Sequence, residues 1–151
     1  MEPNDTTPTP NRVPLDKCGL ARALALIGDR WTLLILREAF YGVRRFEEMR
    51  ADIGAPRTVL SERLASLVES GLMEREPYQE RGQRTRFEYR LTAQGADLLP
   101  ALVALMQWGD RHLGDGEPPL DLRHAECGAS VRAALVCEHG HILSHPRELR
   151  R

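Results

Sequence analysis

Residues 45–70 read RFEEMRADIGAPRTVLSERLASLVES, and this stretch predicts two short amphipathic helices. Gly54 ends the first helix, Pro56 occupies a first-turn position of the second, and Gly71 stops the second. Apolar residues recur every three or four positions in both segments, at Phe46, Met49, Ile53, Leu60, Leu64, Leu67 and Val68. Two such helices joined by a tight turn that contains glycine form the helix-turn-helix pattern.

A strand–loop–strand segment follows the second helix. LMEREPY, at 72–78, is a short strand in which Pro77 marks a sheet edge. In the stretch QERGQRTRFEYRL at 79–91, apolar and charged residues alternate from Arg86 to Leu91, which predicts a half-buried strand. The loop between the strands is polar and cationic. This order predicts a winged helix, in which the loop is the wing and can reach phosphates beside a groove.

Two helices are predicted before this unit. Asp16 caps a helix that runs to about Ile27 and carries Leu20 and Leu24 on one face. Asp29 caps a second helix that ends at Gly42. The run 33–36 of that helix is apolar nearly all round, so we expect it at the centre of the core.

A long helix is predicted after the wing, capped by Thr92 and running from Ala93 to about Leu113. Pro100 removes the bond to the Ala96 carbonyl, and a kink is expected there. Two adjoining apolar stripes follow this helix, at Leu98, Leu102 and Leu105 and at Leu99, Val103 and Met106. They exceed what one small domain needs to cover, which favours a partner helix from a second copy.

Composition restricts the class of function. The chain has 151 residues, 42% of them hydrophobic and 28% charged, and a formal net charge of −1, so DNA binding must rest on a local basic cluster. Residues 1–14 suggest a disordered arm without a signal peptide. Three cysteines favour a reducing cytoplasm over a disulfide framework, and the longest apolar runs are too short to span a membrane.

The candidate DNA-binding residues cluster in the two central helices and in the wing. Residues in the first turns of the second helix face base edges when such a helix enters the major groove, and arginines beside it suit phosphates. The candidates are Arg44, Arg45, Arg57, Thr58, Ser61, Arg63, Arg81, Arg84 and Arg86. A solvated helix face and a solubilising hairpin are the alternative interpretations.

Several segments together resemble the HxlR family of bacterial winged-helix transcription regulators. They are Cys18 with ARALALIGDRWTLLILRE, GVRRFEEMR, PRTVLSERLASLVESGLMER, and FEYRLTAQGADLLPAL with Trp108, and they cover about residues 15–113. The resemblance implies a mainly α fold with a β-hairpin wing and a long dimerisation helix. It also implies a homodimer built through the terminal helices, which binds a palindromic operator in double-stranded DNA and represses or activates a nearby gene.

Cys18 falls at the position of the family's N-terminal cysteine, a thiol that some members use to sense electrophiles or oxidants. Lys17, Arg22 and a helix start surround it, which suits a reactive thiol. A small residue at a helix start is equally a packing choice. Cys18 is therefore a candidate redox residue.

The tail, residues 114–151, contains two groups of metal-ligand type. His124 and Cys127 are separated by two residues and are followed by Gly128, and a second group holds Cys137, His139 and His141. Their spacing resembles a small zinc ribbon with structural zinc, in which His139 or His141 is the fourth ligand. The alternatives are a solvated histidine-rich tail and an unoccupied remnant of a metal site, and we expect no cofactor to be required.

Catalytic motifs are missing from the sequence: it has no GxSxG, P-loop or paired-carboxylate signature. We therefore expect a transcriptional regulator and not an enzyme. The alternatives are a winged-helix module for protein interaction without sequence-specific DNA binding, and a small metalloenzyme built around the tail. A small-molecule effector is a further expectation, with Trp31, Tyr41 and Trp108 as its candidate lining.

Overall fold

The computed structural model describes residues 12–150, so most of the arm predicted at 1–14 lies outside the described residues. Four helices, a β-hairpin, two more helices and a small second hairpin follow one another along the chain. The predicted fold class, mainly α with a two-stranded wing, is confirmed.

The first helix, α1, spans Gly19–Ile27 and contains no buried residue. The prediction that Asp16 caps it is wrong, because Cys18 is the N-cap and makes no side-chain capping bond. Asp16 lies instead in a single 3₁₀ turn, Leu15–Lys17, which the Cys18 N–H closes by donating to the Leu15 carbonyl at 3.2 Å. That turn moves the start of α1 past Asp16.

The second helix, α2, spans Arg30–Phe40, and its predicted cap at Asp29 is confirmed. The Asp29 carboxylate accepts from the backbone N–H groups of Trp31 and Thr32 at 3.1 and 3.0 Å and from the Thr32 hydroxyl at 2.6 Å. Burial raises the pKa of Asp29. The hydrogen bonds from Thr32 and the charge of Arg63 outweigh burial, and the pKa stays below its ordinary value of 3.8.

We expect Asp29→Ala to lower the free energy of unfolding by about 1–2 kcal/mol at pH 7, because the cap is lost. Since the folded pKa of Asp29 is depressed, its contribution is present above pH 3.8 and is lost as pH falls through the folded value. Urea unfolding of both proteins between pH 7 and pH 3 measures this difference. A constant difference down to pH 3 would contradict the assignment of the stabilisation to the carboxylate.

The helix-turn-helix consists of α3, Phe46–Ile53, and α4, Arg57–Glu69. Gly54 ends α3 in the left-handed conformation, with φ +68°, and Pro56 is the N-cap of α4 and not a first-turn residue. Both helices pack on α2. The side chains that are fully buried between these elements are Ile35, Leu36, Met49, Leu60, Leu64, Leu67 and Met73.

The wing is an antiparallel hairpin of β1, Met73–Tyr78, and β2, Arg86–Leu91, paired from Met73↔Leu91 to Tyr78↔Arg86. The segment before α3 pairs with the other edge of β2. The Tyr89 N–H donates to the Arg44 carbonyl at 2.8 Å, and Arg45 forms a bridge with Glu88. The wing is thus joined by backbone hydrogen bonds to the start of the helix-turn-helix.

The long helix predicted from Ala93 to Leu113 is two helices, α5, Ala93–Ala96, and α6, Leu99–Leu113. Thr92 caps α5 as predicted, by accepting from the Gly95 N–H at 3.2 Å. Pro100 lies in the first turn of α6, so its lack of an N–H group produces a break before α6 in place of a kink inside one helix.

The tail folds against α6 and ends in a small hairpin of β3, Leu135–Val136, and β4, Ile142–Leu143. The Gln107 side chain holds it through two bonds, donating to the Val131 carbonyl at 2.9 Å and accepting from the Ala133 N–H at 2.8 Å. Along residues 12–150, the helices are too short or too polar to cross a bilayer.

Candidate nucleic-acid interface

A groove of about 670 Å³ lies between the helix-turn-helix and the wing, and we name it the wing groove. Four of the predicted DNA-binding arginines line it: Arg45, Arg57, Arg84 and Arg86. The other lining residues are two glutamates and four aromatic residues, namely Glu47, Glu48, Phe46, Tyr78, Phe87 and Tyr89. The fold thus places residues that are more than forty positions apart around one cationic concavity.

Arg57, the first residue of α4, points across the groove towards α3. Its guanidinium lies 2.5 Å from the Glu47 carboxylate and 5.4 Å from the centre of the Phe46 ring. The Arg57 side chain is 60% exposed, so the ion pair is solvated and weak. An incoming phosphate or guanine edge can therefore replace Glu47.

Arg45 is held in the same way at the other end of the groove. Its guanidinium lies 2.7 Å from the Glu80 carboxylate, at the start of the wing loop, and 4.5 Å from the centre of the Tyr78 ring. The hydrogen bond to Glu80 raises the pKa of Arg45, so this side chain is always a cation. The Tyr78 ring and the Glu80 carboxylate together hold the Arg45 guanidinium at the edge of the groove.

The wing supplies three further cations. Arg81, Arg84 and Arg86 are exposed and have no ion-pair partner within residues 12–150. Gly82, with φ +79°, and the Gln83 N–H, which donates to the Glu80 carbonyl at 3.0 Å, shape the turn between them. Arg90 differs, because Glu88 and Glu76 hold it at 2.7 and 3.2 Å on the strands.

The exposed positions of α4 face the solvent beside the groove. Thr58 and Ser61 are exposed, and the N-cap of α4 makes no side-chain capping bond, which leaves the first N–H groups of the helix accessible to an anion. Arg44 is exposed next to Arg45. Arg63 does not line the groove: its Nε lies 3.3 Å from Asp29, the cap of α2, and its role in DNA binding stays a prediction.

Sequence reasoning missed the partners of the groove arginines. In the sequence, Glu47 is an ordinary helix residue and Glu80 an ordinary loop residue. Tyr78 is the last residue of a predicted edge strand. Only the alternation of Phe87 and Tyr89 signalled aromatic residues on one face of the wing. The missing signal was the register that brings Glu80 to Arg45, thirty-five positions away.

Of the candidate zinc ligands in the tail, the structure brings the His124 and Cys127 side chains into contact, whereas the second group is joined only through its backbone. The His124 Nδ1 and Cys127 Sγ atoms lie 3.3 Å apart, and the Cys137 N–H donates to the His141 carbonyl at 3.0 Å. The rings of His139 and His141 are 6.4 Å apart. Within residues 12–150, no three potential ligands converge on one point, so the structure offers one ligand pair, and zinc stays a prediction.

The remaining candidates lie apart from the groove. Cys18, Cys127 and Cys137 are free thiols, and Cys18 is half-buried at the start of α1. Trp31 packs against the core and Trp108 is exposed beside His112, so neither lines a cavity with Tyr41 as expected.

Comparison with known proteins identifies the same architecture. Residues 26–117 match the model of the HxlR-like helix-turn-helix family. An HTH-type transcriptional regulator of Mycobacterium tuberculosis (strain ATCC 25618 / H37Rv) is 54% identical over 121 residues, which cover 80% of this chain and 75% of the relative.

Solved structures agree with this match. The crystal structure of PA1607, a candidate transcription factor, superimposes with a TM-score of 0.75 and 36% identity over 89% of this chain and 93% of that chain. The redox regulator HypR in its oxidized form gives a TM-score of 0.57 and 27% identity over 63% of this chain and 97% of that chain. The prediction of a regulator and not an enzyme is confirmed by these relatives. The chain is therefore a member of the HxlR-like helix-turn-helix family of transcriptional regulators.

Proposed function

We propose that the protein is a homodimeric, sequence-specific regulator that binds a palindromic operator and represses the adjacent gene. The wing groove carries this proposal, because it places the start of α4 and the free arginines of the wing on one surface. A helix start that reads bases and a wing that contacts flanking phosphates are the two parts of winged-helix recognition.

Uncovered apolar faces support the homodimer. Leu20 and Leu24 on α1 are 68% and 54% exposed, and Leu105 and Trp108 on α6 are 57% and 51% exposed. Exposed apolar helix faces of this kind are typical of an interface. A two-fold axis would place each face against the same face of the second chain. Two copies present two α4 helices, which suits an operator with inverted half-sites.

Selection of bound fragments from the source genome at about 150 mM salt tests the proposal, because non-specific binding is weak there. We expect one or a few sites with inverted half-sites about one helical turn apart. Running the selection with oxidised and with reduced protein tests whether binding responds to oxidants, and the same comparison with Cys18→Ser tests whether Cys18 carries that response, as proposed from the family resemblance. Retention of a protein partner without any DNA would support an interaction module instead.

Arginine variants should separate base contacts from phosphate contacts. We expect Arg57→Ala to cost about 1–3 kcal/mol for the preferred operator and to relax the base preference at one position of each half-site. Arg84→Ala should weaken all sequences alike and reduce the salt slope by about one. Competition titrations at three salt concentrations measure both effects, with Arg132→Ala in the tail as the control. Equal losses of specificity in both variants would contradict this division.

The acidic partners in the groove should limit non-specific binding. We expect Glu80→Gln to raise affinity for random DNA about two- to fivefold, because Arg45 is released from a solvated ion pair and one negative charge leaves the surface. Fluorescence anisotropy with a random duplex measures the change. The matched control is Glu126→Gln, because Glu126 is exposed in the tail and makes no ion pair within residues 12–150. If both variants gain the same affinity for random DNA, the effect comes from net charge and not from the release of Arg45.

A further inference from the structure

A second cavity, of about 290 Å³, lies away from the wing groove, between the end of α2, the first half of α6 and the tail. We name it the tail cavity. Its walls are mainly apolar, and two arginines are the charged residues that line it. The residues that matter here are Phe40, Leu102, Met106, Val131, Arg37 and Arg123.

The wall that the tail contributes is fixed in place. Val131 donates its N–H to the Leu122 carbonyl at 2.7 Å and accepts from the Gln107 side chain at 2.9 Å. Leu122 and Arg123 continue the same wall. Because backbone and side-chain bonds tie this segment to itself and to α6, the cavity is a built feature of the fold.

Arg37 presents its guanidinium at one side of the tail cavity. It donates to the Tyr41 hydroxyl at 3.3 Å and lies 4.9 Å from the centre of that ring. Its carboxylate neighbour, Glu38, is 2.9 Å away but only 3% exposed. Burial raises the pKa of Glu38 and the Asp52 carboxylate raises it further, against the effect of Arg37. Glu38 therefore occupies part of the Arg37 guanidinium, and a ligand carboxylate would use the N–H donors of Arg37 that Glu38 leaves free.

Arg123 presents a second guanidinium from the tail. One nitrogen lies 2.5 Å from the Asp121 carboxylate, and another donates to the Gly128 carbonyl at 3.0 Å. Asp121 is about half exposed, so this pair is solvated and an anion can replace it. A guanidinium has five N–H donors, and these two contacts leave donors free.

We propose that the tail cavity binds a small hydrophobic carboxylate, a molecule with a single ring and a short acidic chain. Its ring contacts Phe40, Leu102 and Met106, and its carboxylate accepts from Arg37 and Arg123. Guanidinium groups match the geometry of a carboxylate, and a flexible methionine thioether adapts to aromatic rings. The apolar walls and the small volume disfavour a multiply charged phosphate compound.

The position of this site connects it to α4 and to the proposed dimer face. α2 lines the cavity and packs on α4, whereas α6 lines the cavity and carries the exposed dimer face. A bound carboxylate touches both helices and so can favour one arrangement of the two α4 helices over another. This consequence rests on the proposed function, but binding itself does not.

Calorimetric titration of the full chain, in the absence of DNA, tests the proposal with 3-phenylpropanoate and its uncharged analogue 3-phenylpropanamide. We expect saturable binding of one carboxylate per chain and at least tenfold weaker binding of the amide. Arg123→Gln should reduce the preference for the carboxylate, because one of its two charged partners is lost and Arg37 remains. Arg132→Gln, next along the tail but outside this cavity, should leave both affinities unchanged.

Three results would overturn the tail-cavity site. One is the lack of saturable heat up to about 10 mM ligand, a limit that corresponds to very weak binding; this is also the result if a second copy of the chain fills the cavity. The others are equal affinity for carboxylate and amide, and equal behaviour of Arg123→Gln and Arg132→Gln. Circular dichroism of each variant establishes that it is folded. DNA binding is measured separately, so failure here leaves the proposed function intact.

Discussion

Leu24→Glu should convert the proposed dimer into a monomer and lower operator affinity about a hundredfold or more, the scale of the gain from linking two binding events. Leu24 lies near the middle of α1, and more than half of its side chain is exposed in the single chain. A dimer through the terminal helices would bury it, and a carboxylate buried there without a partner is costly. Sedimentation equilibrium gives the mass, and an operator titration gives the affinity.

Leu135→Glu is the matched control for this variant. Leu135 is at least as exposed as Leu24, but it lies on β3 of the tail hairpin and not on either of the terminal helices. It should leave both the mass and the operator affinity unchanged. A dimeric Leu24→Glu protein, or a monomer that binds the operator as tightly as the parent, would contradict the proposed interface.

Gly95→Ala should lower the free energy of unfolding by about 3 kcal/mol, at the upper end of the range for overpacking. The result is unusual, because alanine normally stabilises a helix relative to glycine by about 1 kcal/mol. Here the added Cβ would lie 2.1 Å from the Leu72 carbonyl oxygen and 3.1 Å from a Leu91 methyl carbon. Neither a backbone carbonyl nor the base of the wing can move without disturbing β1 and β2.

Gly109→Ala is the control, since this glycine also lies in a helix and, among residues 12–150 and apart from its own helix backbone, its new Cβ would have no neighbour within 4 Å. It should be neutral or stabilise by up to about 1 kcal/mol. Urea unfolding at one protein concentration compares the two, because the stability of a dimer depends on concentration. Similar effects at both positions would show that the contact with Leu72 is unimportant.

Local patterns were sufficient to predict the order of elements. The strand Arg86–Leu91 has its predicted bounds, and α4 begins one residue after Pro56, because alternation and the proline are signals within a few residues. The helix after the wing was predicted as one element because its apolar stripes run through Pro100. Periodicity does not show that Gly95 packs on the Leu72 carbonyl, or that a new helix starts at Leu99.

The sequence predicted the cationic residues of the candidate site, but it did not predict which side chains contact them. Arg45, Arg57, Arg84 and Arg86 were identified from charge and position, and the fold brings them to one groove. Arg63 has the same chemistry, but its contact with Asp29 depends on how α4 crosses the start of α2. Such contacts follow from helix packing and strand register, which no short stretch of sequence encodes.

The backbone pairing between β2 and the segment before α3 has a consequence for the operator. Because Tyr89 and Arg44 are hydrogen-bonded through their backbones, the wing cannot swing independently of the helix-turn-helix. In the proposed complex, the distance between the base pairs that α4 would read and the phosphates that the wing would reach is therefore constant. Each half-site should have an invariant length, and any tolerance of insertions should lie in the spacer between the half-sites, where only the relative position of the two protomers has to adjust.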